Sequence, residues 1–177
     1  MSALRHRGVT LIELMIALAI AVILLVLAAP AYTLWLADSE IRAGAQSIAG
    51  GLRYAQAEAI KRNDSVQLVL NPATGSGGWS AQLADGTVLQ AGFFAEGAPR
   101  IVVTPTGGLT TITFTALGQV AATNADATGP FSAVVLSSSF TGTHPLTVLV
   151  GTVGQAGVKI CDPAWNNKTP PDPKGCF

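Results

Sequence analysis

The sequence predicts an α+β protein: one long hydrophobic N-terminal α-helix packed against a small antiparallel β-sheet head. Three observations carry this. The run from Val9 to Leu36 is apolar, with Glu13 its only ionisable group. A second stretch, from Ile41 to Ala59, repeats apolar residues at steps of four and three. After Asn63 the pattern changes to short strand-like segments separated by Gly, Pro, Asn and Ser clusters. Strands grouped after one helix, instead of alternating with several, read as α+β. The chain therefore divides into a leader at 1–8, a membrane-spanning half-helix at 9–36, an amphipathic half-helix at 37–62 and a β-rich head at 63–177.

The first half-helix is a membrane segment by length, since about 20 apolar residues cross a bilayer. Arg5 and Arg7 precede it, and positive charge is retained on the cytoplasmic side, so the head is directed outward. An ordinary secretory signal has a shorter apolar core followed by its cleavage site. Here Ala28-Ala29-Pro30-Ala31 imitates such a site, but an acid near the start of the apolar core has no use in a signal peptide. Glu13 is informative because carboxylates in hydrocarbon are costly and are functional by default. If the chain is cut after Gly8, the new α-amino group lies one helical turn from Glu13 and can neutralise it. The plainer reading is an acid that snorkels to the cytoplasmic interface.

In the second half-helix Asp38-Ser39-Glu40 reads as a restart with acid in its first turn. Ile41, Ala45, Ile48, Leu52, Ala55 and Ala59 form one apolar stripe. Arg42, Gln46, Arg53, Glu58, Lys61 and Arg62 are expected on the opposite, solvated face. Gly50-Gly51 weaken a helix by up to ~1 kcal/mol each, which points to close packing against the head. Strands are predicted at 65–70, on both sides of Asp85-Gly86 as a hairpin, and at 100–104, 109–115, 131–138, 146–150 and 158–161.

Composition narrows the function. Charged residues are only 11%, well below the roughly 25% of an average domain. The formal net charge is zero, and without Arg5 and Arg7 the balance is 10 − 2 = 8 basic against 10 acidic residues. Such a chain is no generic nucleic-acid binder, because non-specific affinity comes from phosphates neutralised by Lys and Arg. Cys161 and Cys176 both fall near the C-terminus. In an exported chain they read as a disulfide and not a metal site; in a reducing compartment they would be two free thiols. His6 lies in the leader and His144 stands alone, so no catalytic constellation or metal site is assembled. Gly75-Ser76-Gly77-Gly78 lacks the Lys and helix of a phosphate loop. No enzymatic activity and no cofactor are expected.

The stretch GVTLIELMIALAIAVILLVLAAPAY resembles the N-terminal signature of type IV pilins and type II secretion pseudopilins. The resemblance implies a pilin fold and specific roles. Gly8 matches the residue before the prepilin peptidase cut, and Val9, where the family usually has Phe, the first mature and N-methylated residue. Glu13 matches the glutamate that guides assembly, and Pro30 lies where the family's helix often bends. Expected partners are other pilins or pseudopilins, the inner-membrane assembly platform and the prepilin peptidase; the expected place is the inner membrane, single-pass, head in the periplasm.

Tyr54 to Arg62, YAQAEAIKR, is similar to the end of the helix in the FimT and GspH subfamily of minor pilins and pseudopilins, and ITFTALGQV at 112–120 to that subfamily's strand and turn. Some FimT-type minor pilins bind DNA for natural transformation through a Gly-Arg-x-Arg motif ahead of a cysteine. Here that place reads AGVKIC at 156–161, without the first Arg and with Lys159 the nearest cation. Lys159, Lys168 and Lys174, with Trp165 as a stacking surface, form the candidate DNA-binding set. Asp162 and Asp172 offset much of that charge.

The sequence thus carries four readings. They are a minor pilin that primes or caps a type IV pilus, a GspH-type pseudopilin, a DNA receptor, and a membrane-anchored binding domain that never assembles.

Overall fold

The computed structural model of the chain describes residues 10–74, 76–166 and 172–176. It opens with one helix, α1 (Leu11–Arg62), and continues as eight strands: β1 (Val66–Asn71), β2 (Gly78–Leu83), β3 (Val88–Phe93), β4 (Ile101–Pro105), β5 (Thr111–Phe114), β6 (Ala133–Ser138), β7 (Leu146–Val150) and β8 (Val158–Cys161). The chain forms two compact units, one ending at Trp35 and the other running from Leu36 onward.

In the first unit α1 is apolar on every side, and none of its most apolar 18-residue stretch is buried in the structure. It runs through Pro30 as continuous helix. Near its end Tyr32 and Trp35 lie with ring centroids 6.1 Å apart.

In the second unit the predicted apolar stripe is the buried face. Ile41, Ala45, Ile48, Leu52, Ala55 and Ala59 are fully buried in one core with strand residues including Leu68, Ile112, Phe114, Val134 and Leu136. Two expectations about this half-helix are corrected. There is no restart at Asp38-Ser39-Glu40, because the helix is continuous; once nucleated it propagates with one bond gained per residue. Those acids make tertiary ties instead. Asp38 accepts the His144 backbone N–H at 2.8 Å, and the buried Glu40 receives Arg100 Nη2 at 2.6 Å. The Arg100 guanidinium also lies 5.6 Å from the Phe140 ring centroid.

The second correction is Glu58, expected on the solvated face but only 8% exposed. Lys61 at 3.0 Å and Arg62 at 2.7 Å fold back onto it, so the carboxylate is screened by its own helix neighbours. Their hydrogen bonds, Arg62 first, hold its carboxyl below its ordinary 4.5. A depressed carboxyl contributes stability above its unfolded value, and that contribution is lost as pH falls through the folded value. The midpoint of thermal unfolding should therefore drop on acidification below about 4.5, and Glu58→Gln should flatten that part of the profile.

The strands form two four-stranded antiparallel sheets, ordered β3-β2-β1-β5 and β4-β6-β7-β8. A single small sheet was the expectation. Helix length explains the second one. The stretch 37–62 rises roughly 39 Å, whereas four strands are about 19 Å wide, so one sheet leaves half the stripe uncovered. Accordingly Gly44 sits against Ile101 of β4 and Leu136 of β6, and Gly51 against Trp79 of β2. All eight predicted strands are present, and Asp85 shapes the β2–β3 turn by accepting the Thr87 N–H at 2.8 Å.

The two adjacent helix glycines have opposite roles. A Cβ on Gly51 would lie 2.6–2.8 Å from three atoms of the Trp79 indole, while one on Gly50 would meet nothing within 4 Å. Gly50→Ala is therefore expected to stabilise by up to about 1 kcal/mol through helix propensity. Gly51→Ala is expected to destabilise, since overpacking a rigid buried ring costs about 1–3 kcal/mol. Thermal unfolding of the two variants beside the parent checks the pair.

Candidate functional site

Two regions carry the chemistry singled out in the sequence. At the start of α1, Thr10 closes the helix: its Oγ1 accepts the Glu13 N–H at 3.3 Å and its carbonyl the Leu14 N–H at 3.2 Å. Thr10-Leu11-Ile12-Glu13 is the Thr-x-x-Glu spacing of a capping box, a signal the sequence reading did not use. It fixes Glu13 in the first turn, where the helix dipole favours an acid. Glu13 is thus an exposed carboxylate at the end of a helix otherwise fitted to hydrocarbon. Gly8 and Val9 lie outside the described residues.

The second region is the C-terminal tail. Cys161, the last residue of β8, is joined to Cys176 by a disulfide with Cα atoms 5.1 Å apart, closing a segment of 15-residue separation. Closing a loop of that size stabilises by about 3 kcal/mol in the chain-entropy model. Backbone and side-chain bonds complete the element. Asp162 N–H donates to the Lys174 carbonyl at 2.8 Å, and Cys176 N–H to Asn166 Oδ1 at 2.6 Å. Asp162 Oδ1 accepts the Ala164 N–H at 2.9 Å.

Of the candidate DNA-binding set, the structure brings two members together: Lys174 Nζ lies 5.0 Å from the Trp165 ring centroid. Lys159 Nζ donates to the Gly175 carbonyl at 2.8 Å, so its ammonium braces the tail. Lys168 lies outside the described residues. Beside this element is an open groove of about 550 Å³, lined in part by Arg42, His144, Ile160, Asp162, Trp165 and Lys174. Among the described residues, no three His, Cys, Asp or Glu side chains gather in a way that holds a metal ion.

The pattern over residues 44–154 matches the family model described as type II transport protein GspH. That span covers well over half of the sequence. The chain belongs to the GspH family. Residues 4–29 also match the prokaryotic N-terminal methylation motif, a span that contains Gly8, Val9 and Glu13. It is therefore a type IV pilin-like minor pilin or pseudopilin, a family of structural subunits anchored through the N-terminal helix. Among solved structures it is similar to the type IV minor pilin FimU of Pseudomonas aeruginosa in two crystal forms. Both show 16% identity and a TM-score of 0.48, covering 68% and 67% of this chain and 88% and 91% of those chains. No curated protein matches significantly.

The GspH span ends before the disulfide-closed tail, so Lys159, Trp165 and Lys174 belong to a part of this chain that the family pattern does not describe. Sequence reasoning missed Arg42 and His144 as tail neighbours. Arg42 lies far from the tail in sequence, and His144 reaches α1 through its backbone bond to Asp38. Neither relation leaves a local pattern.

Proposed function

We propose that this GspH-family chain is a minor pilin of a type IV pilus, a structural subunit that primes or caps the filament. It is made with a leader that prepilin peptidase removes after Gly8, and Val9 becomes the N-methylated first residue. It waits in the inner membrane with its head in the periplasm, then joins other pilins through the assembly platform. The observation that supports this best is an acid, Glu13, fixed in the first turn of a membrane-length helix. In hydrocarbon that acid needs a cation, and the new α-amino group, its own or a neighbour's, is the one at the right depth.

The family description itself, a type II transport protein, favours a second reading, a pseudopilin of a secretion system. Deletion separates the two. Loss of surface pili, together with recovery of the mature chain at low stoichiometry in sheared filaments, supports the pilus. Intact pili with exoproteins retained in the periplasm support the pseudopilus. DNA reception is less well supported: the tail presents Lys174 already over Trp165 and lacks the first arginine of the motif found in some FimT-type minor pilins.

A further inference from the structure

The groove beside the disulfide gathers charged, aromatic and apolar side chains at one place. Three distant segments build it. Arg42 comes from α1. His144 comes from the β6–β7 loop, pinned to the same helix by the bond from its N–H to Asp38. Trp165 and Lys174 come from the tail that the Cys161–Cys176 bond closes. Its volume of about 550 Å³ lies within the roughly 300–1,000 Å³ of small-molecule sites.

Among the described residues that line it, two cations, Arg42 and Lys174, face this space against one carboxylate, Asp162. The Asp162 carboxylate is held in a local turn with Ala164 and is an acceptor for a hydroxyl. Arg42 makes no hydrogen bond or ion pair with any described residue, so a planar fork of donors stands ready for an oxyanion. Leu146 and Ile160 add apolar wall, and Trp165 an amphipathic ring. A ligand that fits has a phosphate, a hydroxyl and apolar mass next to them.

Chain position names the source. Arg42 follows the apolar run by only six residues, and the exposed aromatics Tyr32 and Trp35 close that run, as aromatic belts do at the headgroup level. An arginine so near the end of a spanning helix is within reach of a lipid phosphate, whose oxygens its planar donors fit. We propose that this groove binds the phosphate headgroup of an anionic phospholipid, with Arg42 and Lys174 on the phosphate and Asp162 on a headgroup hydroxyl. The subunit held in the membrane carries the lipid there and releases it when it is extracted.

The test uses the full chain in dodecyl maltoside micelles, titrated with phosphatidylglycerol or phosphatidylcholine and read by native mass spectrometry. The parent is expected to retain one phosphatidylglycerol in clear preference to phosphatidylcholine. The Arg42→Ala/Lys174→Ala double variant is expected to lose at least about tenfold in apparent affinity, because hydrogen bonds to charged groups are the stronger kind. Arg42→Lys should recover much of the loss. Both side chains are exposed, and unchanged circular dichroism of the variants will show that the fold is intact. Equal retention of the two lipids, or undiminished binding by the double variant, would overturn the proposal. Displacement of the lipid by millimolar inorganic phosphate would assign the groove to a free anion, and displacement by an oligoglutamate peptide to a protein partner; either also overturns it.

Discussion

Glu13→Ala is expected to leave the protein cleaved, membrane-bound and folded, while its recovery in sheared filaments falls by roughly sixtyfold to three-hundredfold. The magnitude follows from the cost of an unpaired charge in hydrocarbon. A charged group at the centre of a spanning helix costs about 2.5–3.5 kcal/mol on insertion scales, and each 1.4 kcal/mol is a factor of ten. In the filament the α-amino group at the mature terminus would lose its counter-charge and carry that cost. In the membrane the same ammonium can reach water at the interface, so anchoring is spared. Glu13→Gln should behave like Glu13→Ala because it keeps the shape and removes the charge, whereas Glu13→Asp should recover part of the activity. The head melts as an independent reporter. Glu13 belongs to the first compact unit and the core to the second, so the unfolding midpoint should not move.

The second large effect is on the head. Trp79 is 7% exposed and lies against Gly51 of α1 and Gly92 of β3, while its indole N–H donates to Ser47 Oγ at 3.0 Å. It joins helix and first sheet through one ring, and the two glycines make room for it. Trp79→Ala is expected to cost about 3–5 kcal/mol, the range for removing a large aromatic from a core. For a head of this size that lowers the thermal midpoint by roughly 10–15 °C. Trp79→Phe keeps most of the packing and loses the Ser47 bond, so its cost should be well below that of alanine. Trp79→Ala is also expected to reduce the cellular level of the protein, with Glu13 chemistry untouched, which separates a stability defect from an assembly defect.

Much of this fold was legible because its signals are local. The stripe from Ile41 to Ala59 is a 3.6-residue period, and its buried face is the observed one. The strands announce themselves by alternation and by turn residues such as Asp85-Gly86. What was not legible depends on partners distant in sequence. Glu40 and Asp38 looked like a helix start because acids at a first turn are common there, yet their partners are Arg100 and His144. Glu58 looked solvated by its place on the helix wheel, but Lys61 and Arg62 cover it. The division into two sheets follows from how much of the helix must be covered, a property of the assembled head and not of any one strand.

The candidate site divides the same way. The stem motif is contiguous, so Gly8, Val9 and Glu13 could be named as candidates from the sequence. The groove could not, because Arg42, His144 and Lys174 meet only after the helix, the β6–β7 loop and the tail have come together.

The central claim is that the apolar helix is an assembly stem released by a cut before it. Intact-mass and N-terminal sequence determination of the chain purified from its native membrane tests this most directly. The account predicts a protein beginning at Val9, carrying one methyl group on its α-nitrogen. A protein beginning near residue 32, after the Ala28-Ala29-Pro30-Ala31 stretch, or one retaining Met1 to Gly8, would contradict it.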